Sequence, residues 1–356
     1  MRTLVHVLVV VFLLTVVAIL GFMKEAGSAE KAIDHIALVF QDKSLDLKQK
    51  KLPEKRIADQ KLEGDLFDWI GKKPEELVEK YGEPIRIDPS AYTYDWWVYT
   101  NEETHFIQFG VAEGEIITIY ATGLDLEIAP FSIGDSYDLV DKELPFEQEV
   151  TYTSGPSSYT FQLTDEDLQH RPLAKVTSDL FIQTYFDSFT EQLSSIRIMK
   201  GDVLLQHHPY AMEYRGEIPS SPNPSEEKWA DIEHGMEQQV FEISNVIRNY
   251  FNKSQLKWDD KVREVAYSHS RDMAENNYFS HYGLSGDGLK ERLAENEVYY
   301  FAAGENIAAQ YVDAPAAVQG WLNSEGHREA LLNNKYTHLG VGVYRLYYTQ
   351  NFLTKP

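Results

Sequence analysis

Toward the C-terminus, three short stretches gather side chains able to do chemistry: NYFSHYG (277–283) with His281, GENIAAQ (304–310) with Glu305, and WLNSEGHREALL (321–332) with Ser324, Glu325 and His327. Two imidazoles flanking a carboxylate can hold a divalent ion such as zinc through nitrogen and oxygen, leaving positions open for water. His281, His327 and Glu305 are the candidate ligands, and a metal-bound water with Glu305 as general base would hydrolyse a bond. Ser280 beside His281 and Ser324 near His327 are only adjacent pairs, and adjacency in sequence does not make a nucleophile–base–orienter triad. A bracing role competes with both readings. Glu305 at the mouth of a Gly-initiated helix would cap backbone N–H groups, and His327 and Arg328 would pair with acids of a neighbouring helix. Binding cleft, structural network and hydrolytic centre all stay open here. Elsewhere, His207 and His208 in LLQHHPY have no nearby carboxylate or further histidine and read as a surface turn.

These residues need elements to position them. Ser225, followed by Glu226 and Glu227, predicts a helix N-cap with acids in the first turn. Trp229, Ile232, Met236, Val240, Ile243, Val246, Ile247 and Tyr250 then recur at three- and four-residue steps, so one amphipathic helix runs to about residue 251. Asp259 caps a second helix, on which Val262, Val265, Ala266, His269 and Met273 share a face. His269 therefore reads as a core histidine satisfied by hydrogen bonds. Tyr278 and Phe279 are expected to pack as wall or core at the end of that helix. A helix follows around 314 to 322, and 341–344 and 347–352 alternate as a hairpin of strands.

The order and spacing of HSRDMAENNYFSHYG, GENIAAQ, WLNSEGHREALL, YTHLGVGVYR and YYTQNF over residues 235 to 354 resemble the CAP superfamily in its short, cysteine-free bacterial form. This is the group of Cys-rich secretory proteins, antigen 5 and pathogenesis-related proteins. The resemblance implies an α-β-α sandwich and a central cleft floored by two histidines and two acids. His281 matches the first cleft histidine and Glu305 the first acid. The second acid's place, three residues after Trp321, holds Ser324, with Glu325 next to it. The GHYT-type motif carrying the second histidine is missing, and His327 in GHR is the bacterial signature instead. The same resemblance implies a CAP-associated N-terminal domain in front. It implies binding of a small apolar or lipid-like ligand, a metal, or a cell-wall or protein partner. A metal-dependent peptidase or nuclease is one alternative, and a scaffold binding a partner through the front domain is another.

That front region, 65 to 214, carries a weak repeat: IGKKPEELVEKYGEP (70–84) and IGDSYDLVDKELPFE (133–147) each open a short helix followed by alternating strands. The pattern predicts a tandem helix-plus-antiparallel-sheet module in which each sheet covers its own helix. Residues 215–228, rich in proline and serine, read as the linker to a C-terminal domain at 229–356. The expected class is α+β. The run MRTLVHVLVVVFLLTVVAILGFM (1–23) is long and apolar enough to be a transmembrane anchor or a signal peptide, and the charged, aromatic-poor 24–64 reads as a stalk. With Arg2 left inside, the rest lies extracytoplasmic, anchored in the membrane or secreted after cleavage. A formal charge of -23 excludes nucleic acid as an electrostatic partner, and the absence of cysteine excludes disulfides, thiolate metal sites and a cysteine nucleophile.

Overall fold

The computed structural model describes residues 66–355 other than 102, 127 and 221. The expected anchor or signal segment (1–23) and stalk (24–64) lie outside the described residues. Among the described residues no helix is long and apolar enough to cross a membrane.

The front half begins with α1 (Pro74–Tyr81), whose Pro74 occupies the first helical turn, where a missing N–H costs nothing. A meander follows: β1 (Arg86–Pro89), β2 (Asp95–Thr100), β3 (His105–Ala112) and β4 (Glu115–Gly123). The second unit repeats the order with α2 (Tyr137–Glu143), β5 (Glu149–Ser154) and β6 (Ser157–Gln162). It then inserts α3 (Asp165–His170) before β7 (Leu173–Lys175), β8 (Leu180–Asp187) and β9 (Gln192–Lys200). The chain continues into α4 (Gly201–His207) and β10 (Ala211–Arg215). The repeats do not build separate sheets. β4 pairs antiparallel with β9, Thr118 opposite Met199 through Thr122 opposite Ser195, so one sheet runs β1-β2-β3-β4-β9-β8-β7. The burial of β4 and β9 explains this correction. Both strands are sealed on both faces over most of their length, and an unpaired edge there would strand buried N–H and C=O groups. The β5–β6 hairpin leaves that sheet and pairs with β10.

The C-terminal half starts with α5 (Glu226–Tyr250), capped by Ser225, whose hydroxyl accepts from the Lys228 N–H at 3.3 Å. After β11 (Lys257–Trp258) come α6 (Asp260–Glu275), α7 (Leu289–Glu295), β12 (Ala302–Ala309), α8 (Ala314–Leu322), α9 (Glu325–Leu331), β13 (His338–Tyr344) and β14 (Tyr347–Thr354). The sheet order is β11-β13-β14-β12. α6 lies on β13 at two glycines: a Cβ on Gly340 or Gly342 would stand 2.3 or 1.9 Å from the helix backbone. Close backbone approach of this kind is what glycine permits. Glu305 lies inside β12, opposite Asn351 of β14, and not at a helix mouth. The small residues of AAGENIAA carry no alternation to announce a strand, and pairing with β14 supplies it.

The helices α1 and α2 cover one face of the seven-stranded sheet with Leu77, Val140, Ile119 and Ile196. Trp96, Phe106, Tyr120 and Phe181 on the other face join Ile232, Met236, Val240 and Ile243 of α5 in one continuous core. Ion pairs reinforce this junction. Arg197 of β9 donates to both oxygens of Asp313 at 2.7 and 2.8 Å, with both side chains fully buried. Arg86 grips Glu242 at 2.8 and 3.0 Å. Arg328 of α9 holds Asp187 of β8 at 2.8 Å through each terminal nitrogen, so its acid comes from a strand of the front half and not from a neighbouring helix.

His207 also departs from expectation. It is buried, on the face of α4 that packs inward with Val203 and Leu204, and it shares a 2.6 Å hydrogen bond between its Nε2 and the Tyr94 hydroxyl. Burial, with the charge of Arg197 adding to it, pushes its pKa down to about 3, so this imidazole is neutral. Only His208, which ends the helix in the left-handed region at φ 44°, faces solvent.

Candidate functional site

His281 sits in the loop that leaves α6, and that loop is pinned from beneath. The buried His269 bonds the Ser280 carbonyl through Nε2 at 3.0 Å, and Tyr278 donates its hydroxyl to Asp272. Burial lowers the His269 pKa, so the ring is a neutral core histidine with a defined partner. Phe279, by contrast, is not core packing; it is exposed.

Glu305 is the hub. Its side chain is 5 % exposed, and one carboxylate oxygen accepts from His281 Nδ1 at 2.9 Å. The other accepts from Arg292 Nη2 at 2.5 Å. Arg292 also donates through Nη1 to the carbonyls of His281 and Asp287, each at 3.1 Å, so one guanidinium ties the loop, α7 and β12 together. Sequence reasoning missed Arg292. The signal was an arginine between Leu289 and Leu293 on a short helix, on the face where a core residue is expected.

His327 enters from the first turns of α9, its ring centroid 6.4 Å from that of His281 with the planes at 47°. Asn306 of β12 fixes that turn by donating to the His327 carbonyl at 3.0 Å, and it shares a contact with Gln350 at 3.2 Å. Burial lowers the pKa of His327, and the nearby His281 lowers it further. The structure thus brings together His281, Glu305 and His327, with Arg292 added. It leaves Ser324 and Glu325 apart: neither makes a hydrogen bond or ion pair with those four among the described residues. Ser324 instead faces a cleft between the two halves, and Glu325 is exposed.

The donor set does not fit a metal ion. Among the described residues no group of three or more His, Asp or Glu side chains is placed to hold one. Both oxygens of Glu305 are engaged, one of them by a guanidinium whose charge already neutralises the carboxylate. The same engagement argues against Glu305 as a general base, which must present a free oxygen to the proton it takes. What the arrangement does is hold one imidazole firmly at the surface. The His281 side chain is 48 % exposed, and its Nδ1 is fixed by an almost buried acid. On the two segments flanking α7, Phe279, Tyr282, Leu284, Tyr299 and Phe301 are all exposed.

Comparison with known proteins agrees with this architecture. Residues 70–210 match the CAP-associated N-terminal family, and residues 241–354 match the cysteine-rich secretory protein family, CAP. The uncharacterized membrane protein YlbC of Bacillus subtilis (strain 168) is 47 % identical over 290 residues, 82 % of this chain and 84 % of YlbC. The chain belongs to the CAP superfamily. Among solved structures, an extracellular SCP-domain protein from Bacillus anthracis is 41 % identical with a TM-score of 0.78, covering 87 % of this CAP protein and all of its own chain. A cysteine-rich secretory protein from Staphylococcus aureus is 26 % identical with a TM-score of 0.72, covering 83 % of this chain and 97 % of its own.

Proposed function

We propose that this CAP protein works outside the cell membrane as a non-catalytic binder of a small apolar or lipid-like molecule at the His281, Glu305 and His327 cleft. Residues 1–23 act as its membrane anchor, 24–64 as a stalk, 65–214 as the CAP-associated domain, and 215–228 as the connection to the CAP domain at 229–356. The names of its relatives, an extracellular protein and a membrane protein, support that placement. The observation that carries the reading is the pairing of a half-exposed imidazole, fixed by a fully engaged carboxylate, with exposed apolar side chains on the segments either side of α7. Exposed apolar residues drawn from neighbouring segments mark interaction sites on soluble domains, and a single oriented polar group among them sets the pose.

Titration with the neutral apolar fluorophore N-phenyl-1-naphthylamine tests this. Saturable binding is expected, weakened about tenfold or more by Phe301→Asp and by the double change His281→Ala, His327→Ala. Identical isotherms for the wild type and both variants would defeat the reading. Zinc titration by calorimetry addresses the rival: a heat that vanishes in the double variant would restore the metal site.

A further inference from the structure

Between the CAP-associated half and the CAP half lies a cleft of about 770 Å³, and none of His281, Glu305, Arg292 or His327 lines it. Its volume falls within the range of small-ligand sites, which runs to roughly 1,000 Å³. Most polar groups on its walls are spent on the fold. The Gln183 amide donates to Tyr210 and accepts from Tyr185, and Gln319 bonds Ser194 and Tyr120. Asn323 bonds the backbone of Ser188 and Phe186. Among the groups not so spent are two that face the cleft from opposite walls, Arg171 and Tyr311.

The first is Arg171, at the end of α3. Its Nε donates to Asp167 at 2.8 Å, and its guanidinium carbon stands 5.2 Å from the centre of the Tyr210 ring. The other oxygen of Asp167 is filled by the backbone N–H and hydroxyl of Thr164 at 3.0 and 2.8 Å. The guanidinium is therefore clamped at one edge and stacked on one face, and its two terminal nitrogens have no partner among the described residues. A fork held this way matches the two oxygens of a carboxylate.

The second is the hydroxyl of Tyr311, on the CAP wall, which likewise bonds to no described group. The ring lies directly on Gly320 of α8: a Cβ there would sit 2.2 Å from the phenol oxygen, so only glycine leaves room for it. Burial pushes the phenol's pKa up, with Arg171 pulling it down and Glu166 adding to the rise, and both Tyr311 and Arg171 line the cleft.

We propose that this junction cleft is a second binding site, for a small molecule or chain end bearing a single carboxylate, with Arg171 as its bidentate anchor and the Tyr311 hydroxyl as a further donor. A monoanion is favoured over a dianion such as phosphate, because Glu166 and Asp167 line the same wall. Peptide C-termini and uronic sugars both supply this group. The site exists only while the two halves are docked, since each contributes one of the free groups.

The test is calorimetric titration of the full chain with N-acetyl-trialanine and with digalacturonic acid, each against its neutral form, the C-terminal amide and the methyl ester. At least one acid is expected to bind, with its neutral form about tenfold weaker or worse, and Arg171→Gln is expected to lose about tenfold or more. Which acid binds identifies the source of the carboxylate. Should Arg171→Gln unfold, Arg171→Lys carries the test, because it keeps a cation beside Asp167 but loses the fork; it too is expected to lose about tenfold. No binding of either acid at ten millimolar, equal binding of acid and neutral forms, or unchanged affinity in the Arg171 variant would each overturn the proposal.

Discussion

Two arginine–carboxylate arrangements in this protein use the same chemistry to opposite ends. At the junction, Arg197 and Asp313 close on each other through two hydrogen bonds and are sealed from solvent. Beside the loop that carries His281, Arg292 takes only one oxygen of Glu305, and the other orients His281, whose ring is half exposed. The first carboxylate has no capacity left for anything but the fold, whereas the second passes its charge and geometry to a side chain that meets solvent. Burial and the identity of the second partner, more than residue type, separate the brace from the presenting site.

The comparison breaks most readily at the junction. Arg197→Met leaves Asp313 buried without its partner and is expected to cost about 3–5 kcal/mol in urea unfolding. The double change Arg197→Met, Asp313→Leu should recover most of that, because an apolar pair of similar volume has no charge to desolvate. If the double variant is as weak as the single one, a stranded Asp313 charge is not the source of the loss, and the ion pair with the Asp313 cap on the Ala316 N–H of α8 is itself what braces the junction.

The next effect is on acid stability. His207 is neutral when folded, with a pKa near 3, and has an ordinary value of 6.5 when unfolded. The unfolded chain therefore binds the extra proton between those values. Stability is complete above about pH 6.5 and falls as the pH drops toward the folded value, by about 2 kcal/mol between about pH 7 and pH 5. His207→Gln should flatten that limb in chemical unfolding at several pH values. An unchanged slope would mean that other groups set it.

The elements of this fold differ in how far the sequence announces them. The helix α5 was readable because Ile232, Met236, Val240 and Ile243 carry its inward face at fixed spacing, and β13 and β14 were readable from their alternation. The three motifs also pointed to one another, and His281 does meet Glu305, with the ring of His327 nearby. The β4–β9 pairing was not readable, because it joins strands far apart in the chain, and a repeat gives no hint that its copies share a sheet. The doublet His207–His208 looks polar in sequence, but the helix turns one ring inward and the other out. Arg292 was hidden because an arginine on a short helix usually faces solvent, and only the fold places Glu305 opposite it.

At the presenting site the effects are smaller. Arg292→Met removes one of the two donors to Glu305 and should cost about 1–2 kcal/mol of stability, since Arg292 is mostly buried. It should also loosen His281, which can be read as a broadened imidazole resonance with weaker fluorophore binding. Unfolding and binding that both match the wild type would show that Glu305 orients His281 unaided.

The smallest effect distinguishes contact from coincidence in the histidine pair. The pKa of His327 is lowered first by burial and then by the charge of His281. His281→Ala removes only the second cause, so the His327 titration followed by NMR should move upward while staying below the ordinary histidine value of 6.5. A larger rise, to 6.5 or beyond, would mean that the loop carrying residue 281 also shields His327, and that the variant has opened that loop. No movement would mean that the two rings do not sense each other in solution, and Glu305 would then present His281 alone.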